Sequence, residues 1–155
     1  MLFRSFCFLF FYYPVPVCLG KTDLAFIIDS SGSLGEGNFQ EAKNFMWTVI
    51  RSFEISKNDI RVGVIRYSTR ASVIFDFQFS ADNNILLLKE TIDNIPYAEG
   101  ETKTELALQL ALTDLFTAKG GSRPDVPKIL IVMTFGKSDN EIGRASCRER
   151  VFRAV

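Results

Sequence analysis

Three oxygen-bearing side chains stand at alternate positions in this chain: Asp29, Ser31 and Ser33. They follow an apolar run, Leu-Ala-Phe-Ile-Ile at residues 24–28, long enough for a strand buried on both faces. One carboxylate and two neutral hydroxyls are thereby offered at a strand end, on a turn around Gly32. A hard cation such as Mg²⁺ suits that set, because it prefers oxygen ligands and keeps waters for the rest of its shell. The competing reading is a polar turn that caps the next helix.

The elements around this turn follow from periodicity. Residues 23–29 form the first strand. Asn38, with Glu41 three residues on, predicts a helix start close to a capping box. Phe39, Ala42, Phe45, Met46, Val49, Ile50 and Phe53 then recur at helical spacing, with Trp47 and Arg51 toward the outer side. Residues 60–68 predict a second strand. Residues 72–79 alternate strictly, with Val73, Phe75, Phe77 and Phe79 on one face, and predict a third strand at a sheet edge. The short turn at 68–71 makes strands two and three an antiparallel hairpin. Ser80 or Asp82 is expected to cap a second helix through Ile85, Leu86, Leu88 and Ile92, ended by Pro96. A third helix is expected over 104–118, with Leu106, Leu110, Ala111 and Leu115 on one stripe and Gly120-Gly121 as its stop. Residues 128–134 give a fourth strand. Helical connections between strands predict an α/β sheet, mostly parallel and doubly wound, with helices on both faces and one antiparallel hairpin. Ligands on such sheets bind at the carboxyl ends of the strands. Strand one ends at Asp29, strand four at Thr134, and the polar loop carrying Thr102 can arrive between them.

Composition narrows the chemistry. The 155 residues suffice for one domain with a real core, and 47% of them are hydrophobic, with 15 Phe. Formal net charge is zero, which does not favour nucleic acid. The absence of His excludes His-based zinc sites and Ser-His-Asp catalysis. Residues 21–140 contain no Cys, so their folding needs no disulfide; Cys7, Cys18 and Cys147 lie outside them.

Both termini read differently from this body. Residues 1–20 resemble a secretory signal: Arg4, then a Phe/Leu/Tyr-rich stretch, then small or turn-favouring residues. Pro14 and Pro16 argue against a stable spanning helix. An exported protein is expected. Residues 141–155 lose apolar periodicity and gain Arg144, Arg148, Arg150 and Arg153. They could form a basic tail for an acidic partner. The stronger resemblance is to a translated sequencing adapter joined to a truncated transcript, a non-native tail without biological role.

Taken together, residues 22–140 resemble a von Willebrand factor type A domain, also called an integrin I domain. That family's metal-ion-dependent adhesion site uses Asp-x-Ser-x-Ser after the first strand, here Asp29, Ser31 and Ser33, and a Thr of a Thr-x-Thr pattern, here Thr102 of Thr102-Lys103-Thr104. The stretch Val-Gly-Val-Ile-Arg-Tyr-Ser at 62–68 resembles the family's second strand, especially in extracellular-matrix members. The resemblance implies Mg²⁺ or Mn²⁺ as cofactor. It also implies a secreted adhesion module that engages a carboxylate of a partner protein, such as collagen, another matrix protein or an adhesion receptor. No enzymatic activity is implied.

Two departures qualify what carries over. The family usually has Thr-Asp-Gly at the end of strand four, where this chain has Thr134-Phe135-Gly136. Phe135 cannot coordinate a cation or hold its waters, so affinity should fall, the site being either weakened or degenerate. A sequence error near the tail junction is the other expectation. The family's sheet also continues with two further strands that nothing after Asn140 supplies, so the chain reads as a truncated fragment, which could be non-binding. A strand ending in Asp before small polar residues further resembles a Mg²⁺-dependent phosphatase of the haloacid dehalogenase type. That chemistry needs a second Asp two residues on, and Ser31 stands there instead.

Overall fold

The computed structural model describes residues 20–134; the expectations for residues 1–19, Phe135 and the tail lie outside the described residues. Element order is β1 (Thr22–Asp29), α1 (Glu36–Ile50), β2 (Ile60–Tyr67), β3 (Ala71–Phe75), α2 (Phe77–Asp82), α3 (Ile85–Asp93), α4 (Thr104–Leu110), a π-helical turn (Ala111–Leu115) and β4 (Lys128–Met133). The sheet runs β3-β2-β1-β4. β1 lies parallel to both β2 and β4, with Asp29 opposite Tyr67 and Ile28 opposite Met133. β2 and β3 are antiparallel. This is the expected mixed α/β sheet.

All eight residues of β1 are buried, as its unbroken apolar run requires for a strand covered on both sides. Its side chains alternate between two cores. Leu24, Phe26 and Ile28 pack with Phe39, Met46 and Ile50 of α1 and with Leu88 and Ile92 of α3. Ala25 and Ile27 pack with Ala107, Ala111 and Leu115. Helices therefore cover both faces of the sheet. Among the described residues no helix is long and apolar enough to cross a membrane.

Three local expectations are corrected. The first concerns the start of α1. It begins at Glu36, with Gly35 as N-cap and no side-chain capping bond. Asn38 sits inside the first turn and donates its amide to the Leu34 carbonyl at 2.7 Å. Gly35 holds φ 77, a left-handed backbone that a non-glycine residue rarely adopts, so the glycine sets the start that Asn38 was expected to set.

The second concerns β3, which ends at Phe75 rather than Phe79. A register shift opposite Val64/Ile65 breaks the strict alternation. Asp76 then accepts from the Phe79 amide at 2.8 Å and starts α2. As a result Phe75 and Phe79 pack with one core and Phe77 with the other. Asn84, not Ser80 or Asp82, caps α3, accepting from the amides of Leu86 and Leu87 at 3.0 Å each. Only Leu88 and Ile92 of α3 are buried, leaving Leu86 exposed.

The third concerns the last helix. α4 turns Ala107 to the sheet and leaves Leu106 exposed; Ala111 and Leu115 of the expected stripe are buried there, and Leu110 is only partly so. Small residues let it approach closely. The π turn, closed by Phe116 N donating to Ala111 O at 2.8 Å, brings Leu115 over β2. A methyl at Gly63 would lie 2.6 Å from Leu115 Cδ1. Gly63→Ala should therefore lower stability by about 1–3 kcal/mol through overpacking. A shift of the urea midpoint measures it; an unchanged midpoint would show that the helix simply moves away.

Candidate metal centre

The carboxyl end of β1 delivers Asp29 into the protein interior, fully buried. Its Oδ1 accepts from the Ser31 amide at 2.8 Å, which tightens the turn after the strand. Its Oδ2 accepts from Thr134 Oγ1 at 2.8 Å, just past the end of the neighbouring β4. In the sequence Thr134 reads only as a strand end; its bond to Asp29 depends on the parallel β1–β4 register and has no local signal.

Tyr67 lies opposite Asp29 on β2 and is fully buried. Burial, and then the negative charge of Asp29, push its phenol well above the ordinary range, so it stays protonated. Thr104 Oγ1 donates to the Tyr67 hydroxyl at 3.1 Å, tying the first turn of α4 to the same floor.

Above this floor three hydroxyls meet. Ser31 Oγ lies 3.0 Å from Ser33 Oγ, Ser33 Oγ 3.1 Å from Thr102 Oγ1, and Thr102 Oγ1 3.0 Å from Ser31 Oγ. The loop that brings Thr102 is fastened at several points. Gly32 N donates to the Gly100 carbonyl at 3.0 Å, Glu101 N to Thr69 Oγ1 at 3.0 Å, and Lys103 N to the Ser68 carbonyl at 3.1 Å. Gly100 has φ 89, and a Cβ there would sit 2.4 Å from Thr69 Oγ1, so only glycine lets the loop lie this close to the turn between β2 and β3. All four residues singled out in the sequence thus come together: Ser31, Ser33 and Thr102 as a triangle, Asp29 hydrogen-bonded to the turn beneath it.

The triangle matches one face of a small octahedral ion. Ligands at about 2.0–2.1 Å from Mg²⁺, placed at right angles, lie about 2.9–3.0 Å from one another. Three neutral oxygens and one carboxylate are the donor chemistry of a hard cation. Among the described residues no group of three or more His, Cys, Asp or Glu is gathered, so the centre relies on hydroxyls and a single carboxylate.

The von Willebrand factor type A domain family model matches residues 23–153. Vitrin of Homo sapiens is 34% identical over 126 residues, covering 81% of this chain and 18% of vitrin. The collagen alpha-4(VI) chain of Mus musculus is 32% identical over 131 residues, covering 82% of this chain and 6% of the collagen chain. Among solved structures, proximal thread matrix protein 1 from the mussel byssus, with a zinc-occupied MIDAS motif, superposes with TM-score 0.69 and 27% identity, covering 81% of this chain and 31% of that one. The chain spans less than a third of the length of each.

Proposed function

The chain belongs to the von Willebrand factor type A family, and from that premise we propose that it is an extracellular binding module whose metal centre engages a carboxylate of a protein ligand. The observation that carries the reading is the triangle of hydroxyls, Ser31, Ser33 and Thr102, with sides of 3.0–3.1 Å. These three would face a Mg²⁺ or Mn²⁺ ion, and Asp29 would supply the negative charge beneath it. The bound ion would offer an open position to an Asp or Glu of a matrix protein such as collagen, or of an adhesion receptor. A carboxylate from the partner adds the charge that a one-carboxylate centre lacks, so ligand and metal should bind cooperatively.

Similarity to vitrin and to a collagen chain supports a matrix setting and secretion. It also supports a role in binding rather than catalysis. Phe135 favours a second reading, in which the fold is kept and the metal is lost.

The test is Mn²⁺ titration by calorimetry of the chain and of Asp29→Ala. Saturable binding to the parent, abolished in the variant, is expected. Absence of binding to the parent up to millimolar Mn²⁺ would favour the second reading. A phosphatase would instead turn over an aryl phosphate with Mg²⁺ and lose that turnover in Asp29→Ala.

A further inference from the structure

We infer that Tyr97 is a positioning residue for the metal centre, joining the two loops whose hydroxyls form the triangle. The inference rests on the metal-binding reading above. Tyr97 donates its hydroxyl to the Ser31 carbonyl at 3.1 Å, across 66 positions of sequence. Ser31 supplies one corner of the triangle. The backbone of Tyr97 leads, five residues on, to Thr102, which supplies another. One side chain thus ties the Thr102 loop to the turn after β1.

The ring is held in place from below. It packs on Phe39 with centroids 5.6 Å apart and planes tilted by 44°. Phe39 is fully buried on α1 and lies under the Lys43 ammonium, 5.3 Å from its ring centre. Lys43 in turn donates to the Asp93 carbonyl at 2.8 Å and the Ile95 carbonyl at 3.4 Å. Arg66 reaches the Pro96 carbonyl at 3.4 Å. Two cations therefore grip the chain just before Tyr97, so the phenol hydroxyl is presented from a fixed platform. A hydroxyl whose partner is the backbone of a ligand-bearing turn, on a ring that also packs against the core through Phe39, acts on geometry at the centre.

Pre-organised ligands bind a metal more tightly than ligands that must be gathered. The Gly32–Gly100 backbone bond offers a second tie between the same loops, so removing the phenol should loosen the centre without dispersing it.

The experiment compares Mn²⁺ affinity and melting temperature in the full chain, Tyr97→Phe and Asp29→Ala. For Tyr97→Phe we expect Kd to rise about three- to tenfold, the range of one modest hydrogen bond, with Tm within about 2 °C of the parent. An unchanged Kd in Tyr97→Phe, with binding abolished in Asp29→Ala, would overturn the positioning role and leave the metal reading standing. A variant that fails to fold, or in which affinity and Tm fall together, would also overturn it, since Tyr97 would then serve the fold as a whole. No binding in the parent would remove the metal reading itself, and the positioning role with it.

Discussion

Phe135→Asp should tighten Mg²⁺ binding by about tenfold or more. Position 135 directly follows Thr134, whose hydroxyl donates to Asp29. It is also where the family usually places a second carboxylate. A unit negative charge about 5 Å from a divalent ion, at an effective dielectric of about 20, interacts with it by about 6–7 kcal/mol. Most of that is offset by dehydrating both groups, yet a surviving fifth, about 1.4 kcal/mol, already gives tenfold in affinity. Phe135→Asn separates charge from polarity, because it adds an oxygen without the charge and should recover less. Calorimetric titration of the three proteins with Mg²⁺ and Mn²⁺ is the measurement. Equal affinities for the parent and Phe135→Asp would remove position 135 from the centre.

Arg123→Ala should cost about 3–5 kcal/mol of folding stability, because it strands a buried carboxylate. Asp23, near the opposite end of β1, is fully buried. Arg123 Nε and Nη2 both lie 2.9 Å from Asp23 Oδ1, and the Arg123 amide donates to Oδ2 at 2.7 Å. The same guanidinium holds the carbonyls of Thr22 at 3.0 Å and Asp59 at 2.8 Å. Its removal thus takes two donors from the charge and one from each carbonyl, although the Asp59 carbonyl keeps the Thr22 amide at 3.3 Å. The Arg123 amide and the Ser122 hydroxyl, 3.2 Å from Oδ2, survive the substitution and place the effect toward the lower end of the range. Against a typical total of about 5–15 kcal/mol this is a large share. Chemical denaturation of Arg123→Ala and of Asp23→Asn/Arg123→Ala measures it, and the double variant should recover part of the loss. A midpoint for Arg123→Ala equal to the parent's would show that water reaches Asp23 after all.

Features governed by local chemistry were legible in the sequence. The unbroken apolar run at 24–28 became a strand buried on both faces, and the short turn at 68–71 gave an antiparallel pair. The positions of Asp29, Ser31 and Ser33 could be read because one turn sets their spacing. Thr102 could be linked to them only through the family pattern, since 69 residues separate it from Ser33. Where two local signals competed, the weaker-looking one prevailed. Asp76 outweighed the alternation of aromatics around it, since a capped turn satisfies a backbone donor that a continued strand would have had to pair elsewhere. Gly35 outweighed Asn38, because backbone conformation settled the helix start before any side-chain bond could. Ala107 has no place in the leucine-based stripe, although Ala111 and Leu115 do. Which stripe of α4 faces the sheet depends on the space left by Gly63, a residue on another element. Thr134, Tyr67 and Tyr97 make contacts set by register and loop packing, and no short window of sequence contains both partners.

β1 carries a buried carboxylate near each end, and the two are treated differently. Asp23 has an arginine of the same chain against it, whereas Asp29 has no ion pair among the described residues. Selection for stability alone would favour an uncharged residue at position 29, since a dry, unpaired charge works against folding. On the proposed metal-binding reading, an Asp there trades robustness for responsiveness. The same strand is anchored where its counter-ion is built in, and on the proposed reading would draw its second counter-ion from solution.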